Sequence, residues 1–379
     1  MKHVKLGLVG AAGRPTAFLK AIEQSGTASL TAACDLNREA MQKALEGVEN
    51  VRLFTDYQDF LAKADIDAVI VGTPLPLHVE QSVMALERGL SVYEEIPCGE
   101  TVEELKRLRR AVKASKGLFM TGENVLFAKE YMQVANMVKA GCFGEILYAE
   151  GEYLHDCREL LTKTPWRKRC LFETRGLNYG THNLGPILRW FPGDRITEVS
   201  CVGCGRGSDD PLAGDNVTVM LCRTAKGRLI KIRVDISSPQ PYQLHFSLQG
   251  TQGAFRAGHW LGVSKDAQMF FAGDKDWSPA SEHEKGWLPA LWDASDAPDG
   301  AHGHGGADAA AMAVFIDALA NGKPSPCDID EGIRMTLPGI LSRLSIQKGG
   351  AFVPVEDPTD WDKEEACAEL SESKAAEGQ

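Results

Sequence analysis

The chain has 379 residues, 44% hydrophobic and 25% charged, with a formal net charge of -11. That length is too great for one compact core and fits two domains. The acidic balance disfavours nucleic acid and anionic membrane surfaces as partners. No apolar run reaches the roughly 18 residues of a bilayer-spanning helix. The 10 cysteines show no disulfide-framework spacing, so reduced thiols and a cytoplasmic location are expected. The chain opens M-K-H-V-K-L-G-L-V-G, directly into a strand, and no leader is expected there. Cys201 and Cys204 form a lone C-V-G-C that reads as two small buried strand residues. Zinc needs two further ligands at suitable spacing, and none follows. No catalytic metal is expected.

The first ~125 residues alternate strand and helix signals. Strands are predicted at Val4–Val9, Leu30–Cys34, Ala68–Val71, Leu90–Tyr93 and Gly117–Thr121. Helices are predicted at Thr16–Glu23, Arg38–Leu45, Leu77–Glu87 and Val102–Ala114. This alternation predicts a doubly wound parallel sheet. A helix over Glu130–Ala140 and a strand near Glu145–Tyr153 follow, and residues 177–190 read as helical. Alternating runs at Thr197–Val202, Asn216–Cys222, Leu229–Ile236 and Tyr242–Gln249 read as neighbouring strands of a largely antiparallel open sheet. One face of it is wet or covered by a partner, which allows a homo-oligomer through that sheet. Residues 264–306 read as a long loop region, and helices return at Ala307–Ala320 and Ile329–Gln347. The tail after Asp357 is acidic and alanine-rich, with no clear core. The fold class is therefore α/β followed by α+β. Residues 1–126 form a nucleotide-binding domain, 127–356 a substrate domain and 357–379 a tail.

The turn after the first strand is G-A-A-G-R-P-T, Gly10–Thr16. Gly10 permits the tight turn, and the helix beyond Gly13 and Arg14 can hold a pyrophosphate. The full G-x-G-x-x-G pattern is broken, because Ala12 and Pro15 stand at the second and third glycine places. Asp35 ends the second strand, where a carboxylate can bind the adenosine ribose. That favours NAD over NADP. Asp35 also has a reading as a helix cap before Asn37 and Arg38. Thr73 and Pro74 close the Ala68–Val71 strand, at the edge where open parallel sheets bind ligands. His78 follows on the next helix, as a cofactor neighbour or a packing histidine. Y-E-E-I-P, Tyr93–Pro97, has the same strand-end placement, and its two glutamates point to opposite sides. In L-N-Y-G-T-H-N-L-G-P, Tyr179 and His182 lie three residues apart, on one face of a helical turn. A phenol and an imidazole then sit side by side.

These segments resemble the Gfo/Idh/MocA oxidoreductase family over about residues 1–355. The resemblance rests on Gly10–Gly13, Asp35, T-P-x-x-x-H at Thr73–His78, E-x-P at Glu95–Pro97, and K-A-G-C-F-G-E-I. It implies a Rossmann domain, NAD as cofactor, and a nucleotide set of Gly10, Ala12, Gly13, Arg14, Asp35, Thr73, Pro74, His78, Glu95, Pro97 and Asn124. Ordinary dehydrogenases of the family have E-K-P with a catalytic lysine; here Ile96 takes that place. Asn178 stands where the family's second-domain aspartate belongs, and His182 remains. G-E-N at Gly122–Asn124, N-M-V-K-A-G-C-F-G-E-I, E-Y-L-H-D-C-R, P-W-R, Y-G-T-H-N-L-G-P and G-H-G-G-A-D resemble the NAD-dependent glycosidases of glycoside hydrolase family 109. That branch also lacks the lysine. Gly180 replaces a proline of its Y-P-T-H.

The resemblance implies a redox-neutral hydrolysis of a glycoside. C3 is oxidised, the C2 proton is removed, the C1 aglycone is eliminated, water adds at C1, and C3 is reduced again. One base is needed at the C3 hydroxyl and one at the C2 proton. No carboxylate pair is needed. His182 is expected to serve the C3 hydroxyl. Tyr179 is expected to serve C2, and with a free-phenol pKa of about 10 it needs positive charge nearby. Arg158, Arg167 and the oxidised nicotinamide are the candidates. His155, Asp156, Arg158, Trp166, Arg167 and His304 are expected to bind the sugar. Asp308 has a reading as a helix N-terminal acid. The competing readings are a conventional NAD-dependent sugar dehydrogenase using His182, a 3-keto-glycoside lyase, and a non-catalytic sensor. Aglycone release without net NADH separates the first reading from the dehydrogenase and the sensor.

Overall fold

The computed structural model describes residues 2–169, 173–177, 179–205, 214–257, 267–293 and 304–362. The first sheet comprises β1 (Val4–Val9), β2 (Ala28–Cys34), β3 (Arg52–Phe54), β4 (Ala68–Val71), β5 (Ser91–Glu95) and β6 (Phe119–Gly122). Its order is β3-β2-β1-β4-β5-β6, all parallel, so the connection reverses direction at β1/β4. That reversal opens a ligand crevice at the carboxyl edge. β4 reads A-V-I-V and every residue is buried, as a strand covered on both faces requires. The connecting helices are α1 (Leu19–Gln24), α2 (Arg38–Ala44), α3 (Tyr57–Lys63), α4 (His78–Glu87) and α5 (Val102–Ala114). In α5 a reciprocal Thr101–Glu104 capping box satisfies the first turn's amide groups. β3 and α3 escaped the sequence reading. Three strand residues with one buried position give no period to detect, although Asp56 caps α3 by accepting from the Asp59 amide.

The second half begins with α6 (Lys129–Lys139), β7 (Ile146–Leu154) and the short helices α7 (Arg158–Lys163) and α8 (Pro165–Arg167). Next come α9 (Thr181–Arg189), β8 (Ile196–Gly203), β9 (Val217–Thr224), β10 (Leu229–Asp235) and β11 (Gln243–Gly250). β12 (Gly253–Arg256), β13 (Gln268–Phe271), β14 (Ser278–Pro279), α10 (Ala290–Asp293), α11 (Ala307–Asn321), α12 (Ile329–Gln347) and β15 (Val353–Pro354) complete the set. The nine-stranded sheet runs β14-β13-β12-β11-β7-β10-β9-β8-β15. β10 and β11 are therefore not neighbours, contrary to the sequence reading. β7 lies between them, parallel to β10 and antiparallel to β11. The stretch read as loop contains β13, β14 and α10. Its positions 264–266 and 294–303 lie outside the described residues.

Alternation along β7 splits the sheet into two faces. Ala149, Gly151 and Tyr153 are buried, with α9 packed against the strand. Glu150 and Glu152 turn outward and meet Lys231 at 2.9 and 3.3 Å, and Arg233 reaches Glu152 at 3.3 Å. Cys201 is buried, whereas Cys204 lies past the end of β8 and is exposed. The reading of two buried strand cysteines holds for the first alone.

The last two helices return to the first sheet. Phe315 of α11 packs edge-on to Tyr93 of β5, and the Thr121 amide of β6 donates to the Cys327 carbonyl ahead of α12. The start of the acidic tail is packed as well. Trp361 is fully buried under Lys106, and Asp362 binds Arg109 at 2.6 Å. Periodicity cannot reveal a core built from a single tryptophan. Trp361→Ala is expected to lower the free energy of unfolding by about 3–5 kcal/mol, read from the midpoint and slope of urea denaturation. A change below about 1 kcal/mol would contradict this packing.

Candidate active site

The nucleotide loop follows β1. Gly10 has φ +82, and a Cβ there would lie 2.9 Å from the Gly72 carbonyl oxygen and the Thr73 amide nitrogen. Only glycine lets the ends of β1 and β4 approach so closely. Pro15, at the broken third glycine place, opens a 3-10 turn over Arg14–Phe18, ahead of α1. Asp35 ends β2's edge with one oxygen accepting from the Ala12 amide at 2.9 Å and the other from the Asn37 amide at 2.8 Å. The cap of α2 is Asn37, which accepts from the Ala40 amide. Asp35 thus braces the loop, which leaves its remaining lone pairs for a ribose diol. These residues fit a dinucleotide. The backbone closes tightly at Gly10, and a carboxylate stands at the end of the second strand.

A cleft of about 1090 Å³ opens beside this edge, between the two halves. The first half contributes Arg14, Gly72, Thr73, His78, Glu95, Ile96, Pro97 and Asn124. The second contributes Tyr153, His155, Trp166, Arg167, Tyr179, His182, Tyr242 and His304. His78 is buried, its Nε2 is 2.7 Å from the Thr73 carbonyl oxygen, and burial pushes its pKa down. The glutamates of β5 do part, as alternation requires. Glu94 accepts from the Ser82 hydroxyl on the α4 side, and burial pushes its carboxyl up to about 8. Glu95 faces Arg14 at 3.4 Å, with its carboxyl raised by burial.

The tyrosine and histidine meet, by a different geometry from the one expected. α9 starts at Thr181, so Tyr179 precedes the helix and His182 sits in its first turn. Asn178 lies outside the described residues. The two rings are 5.2 Å apart. Burial raises the Tyr179 phenol and Arg167 opposes the rise. Tyr153 of β7 stacks on His182 at 5.4 Å and 11°. Its hydroxyl is 2.8 Å from His155 Nδ1. Burial lowers the His155 pKa, which favours the neutral ring. Tyr242 closes the wall, 4.6 Å from His155. His182 Nδ1 lies 2.9 Å from Oε1 of Glu123, which is fully buried.

A buried ionic knot joins the halves. Asp308, in the first turn of α11, accepts from both terminal nitrogens of Arg14 at 2.9 and 2.6 Å. It also accepts from Asn124 at 2.8 Å and pairs with His304 Nδ1 at 2.8 Å. Burial alone would raise its carboxyl. Arg14 and His304 instead hold it well below the usual carboxylate range.

Of the sugar-binding candidates, His155, Trp166, Arg167 and His304 line the cleft, and the Arg167 guanidinium lies 4.4 Å over the Trp166 ring. Asp156 and Arg158 do not line it. β7 ends at Leu154, the chain turns into α7, and the two side chains bind each other at 2.7 Å. Strand alternation therefore does not extend to them.

Three family models match the chain. "Oxidoreductase family, NAD-binding Rossmann fold" covers residues 4–123. "GFO/IDH/MocA C-terminal domain" covers 131–256, and "Glycosyl hydrolase 109, C-terminal domain" covers 210–363. The chain belongs to the Gfo/Idh/MocA family, in its glycoside hydrolase 109 branch. It is 28% identical over 407 residues to a glycosyl hydrolase family 109 protein of Streptomyces filamentosus, covering 99% of this chain and 81% of the relative. A second such protein, from Shewanella amazonensis, is 29% identical over 92% of this chain and 84% of its own length. Among solved structures, an inositol dehydrogenase homolog from Azotobacter vinelandii, complexed with NADH and myo-inositol, superposes with TM-score 0.74 at 21% identity. It covers 93% of this chain and 98% of that one. The WlbA dehydrogenase from Bordetella pertussis, with NADH and UDP-GlcNAcA, gives 0.72 at 22%, over 94% and 98%. These two share the fold.

In this family 109 enzyme, sequence reasoning missed Glu123, Tyr153 and Tyr242, and left Asp308 as a helix acid. Two signals were available. Tyr153, the inward residue next to the end of β7, stands two positions before His155 and meets it. Glu123 follows β6 as Thr73 follows β4, at the same ligand-binding edge. Asp308→Asn tests the knot. Asp308 binds its proton less tightly when folded than when unfolded. The stabilisation is therefore complete above about pH 4 and fades as pH falls through the lower folded value. Near pH 7 the variant is expected to lose about 2–4 kcal/mol of stability, less than a fully buried pair's cost, because Arg14 is partly exposed. Urea titrations should show that deficit shrinking below pH 4. A deficit constant from pH 7 to pH 3 would contradict the assignment.

Proposed function

We propose that this family 109 enzyme cleaves glycosides by a redox-neutral route that uses NAD. The observation that carries the reading is the composition of the cleft wall. Ile96 stands where a lysine would act, and His182 is ringed by Tyr153 and Tyr179. Glu95 is the sole carboxylate among the described lining residues and is committed to Arg14. A two-carboxylate glycosidase needs a pair about 5–10 Å apart, which this wall does not offer. NAD, when bound, supplies a hydride acceptor and then a donor at C3. Asp35 binds its adenosine ribose and repels a 2′-phosphate.

His182 takes the proton of the C3 hydroxyl and returns it after the sugar is rehydrated. The C3 ketone acidifies the C2 hydrogen, and a tyrosine that has first given up its own proton removes it as the phenolate. Tyr179 is the first candidate, with Arg167 facing it. Tyr153 is the second, because His155 stands ready to accept its proton. Loss of the C2 proton expels the C1 aglycone, and water then adds at C1. Trp166 stacks on an apolar sugar face, while Arg167, His155 and His304 take hydroxyl oxygens. The chain works in the cytoplasm, consistent with free thiols at Cys34, Cys98 and Cys157. It assembles as a homo-oligomer through the outer face of the nine-stranded sheet, where Lys231, Arg233, Glu150 and Glu152 lie.

Nitrophenyl glycosides of both anomers, with and without added NAD, test the reading. Aglycone release that requires NAD and leaves no net NADH is expected, with solvent deuterium entering C2. Net NADH formation would make the protein a dehydrogenase. A product without deuterium at C2 would rule out elimination. Of Tyr179→Phe and Tyr153→Phe, the variant that blocks aglycone release by about 100-fold or more, yet still forms stoichiometric NADH, identifies the C2 base. Calorimetry should show tighter binding of NAD than of NADP, with Asp35→Ala weakening that preference. Equal affinities in the unmodified protein would contradict the role of Asp35.

A further inference from the structure

We infer that Glu123 is the positioning residue of this site. Its carboxylate holds His182 with the ring proton on Nδ1, so that Nε2 is the free base facing the cleft. The inference rests on the reading of His182 as proton acceptor at C3.

Three observations lead to it. First, Glu123 Oε1 already accepts from the Val125 amide at 3.0 Å while it meets His182 Nδ1 at 2.9 Å. A backbone donor thus fixes the oxygen, and an oxygen in that role accepts from Nδ1 rather than donating to it. Second, room for the carboxylate is built into α9. A Cβ at Gly185, three residues after His182, would lie 2.9 Å from Glu123 Cγ. Any side chain there displaces the glutamate. Third, Tyr153 stacks flat on His182 and sets the ring plane, while the Glu123 oxygen in that plane selects the edge that carries Nδ1.

The charged and titratable groups facing His182 come from both halves. Glu123 follows β6, and Glu95 ends β5. Tyr153 comes from β7, His155 directly follows that strand, and Tyr179 precedes α9. Of these, Glu123 lies within hydrogen-bond distance of a ring nitrogen of His182, at 2.9 Å. When Nε2 takes the proton from the C3 hydroxyl, the ring becomes imidazolium and the carboxylate stabilises it. No proton passes to Glu123. This is the orienting role that a buried carboxylate plays beside a catalytic histidine in hydrolases.

The test reads the tautomer directly. ¹⁵N-histidine-labelled full-length protein is examined by NMR at a pH where the imidazole is neutral, with His182→Gln used to assign the signal. The proton is expected on Nδ1 of His182 in the unmodified protein, and a proton on Nε2 overturns the inference. In Glu123→Leu no oxygen faces Nδ1, so the preference for the Nδ1 proton is expected to be lost. With a confirmed glycoside, kcat should then fall about 100-fold or more, while KM stays within about three-fold. An unchanged tautomer with kcat within about three-fold, or a change in KM alone, overturns it. If Glu123→Leu does not fold, the tautomer of the unmodified protein still decides. If the unmodified protein shows the Nδ1 proton but cleaves no glycoside, the functional reading fails and the positioning stands.

Discussion

The structure depends on one buried ion pair, Arg14 with Asp308. Arg14 belongs to the nucleotide loop after the first strand, and Asp308 to a helix almost 300 positions later. Two buried charges are costly unless each is paired and its remaining hydrogen-bonding groups are met. Here they are met from both sides. Glu95 faces the guanidinium, and Asn124 and His304 bind the carboxylate. The pair therefore fixes where α11 lies against the first sheet. Tyr93 and Phe315 fill the space beneath with an edge-on aromatic contact. The loop that holds the nucleotide and the segment that brings His304 to the cleft cannot move independently while the pair stands.

Above the knot, the cleft wall is aromatic. Tyr153, Tyr179, Tyr242, His155 and His182 pack ring against ring at 4.6–5.7 Å. Such a wall gives an apolar surface for the carbon face of a sugar and places hydroxyl and imidazole groups along it. It also has an electrostatic consequence. Burial raises the phenols and lowers His155, so near neutral pH the wall is uncharged at these groups.

Much of the first half was legible because its strands are short, apolar and regularly spaced by helices. Strand-end rules drew attention to Thr73 and Glu95, and both line the cleft. β3 and α3 were missed because three residues cannot show a period. In the second half the strands themselves were visible from alternation at β8, β9, β10 and β11. Their order was not. A strand's sequence records which face is buried, not which neighbour pairs with it, so the insertion of β7 between β10 and β11 left no local trace. Asp156 and Arg158 were misplaced for a related reason. Alternation was carried past Leu154, where the strand ends.

The sequence by itself determined the two-part α/β and α+β class, the tight turn at Gly10, the isoleucine at position 96, and the closeness of Tyr179 and His182. Each of these is a local property: a turn, a strand end or a short motif. The partners of those residues were decided only in three dimensions. Glu123 is 59 positions from His182, Asp308 is 294 from Arg14, and Trp361 packs onto a helix some 250 positions upstream. Contacts at such separations come from the closing of the chain on itself. Burial and charge pairing select them, and no periodicity records them.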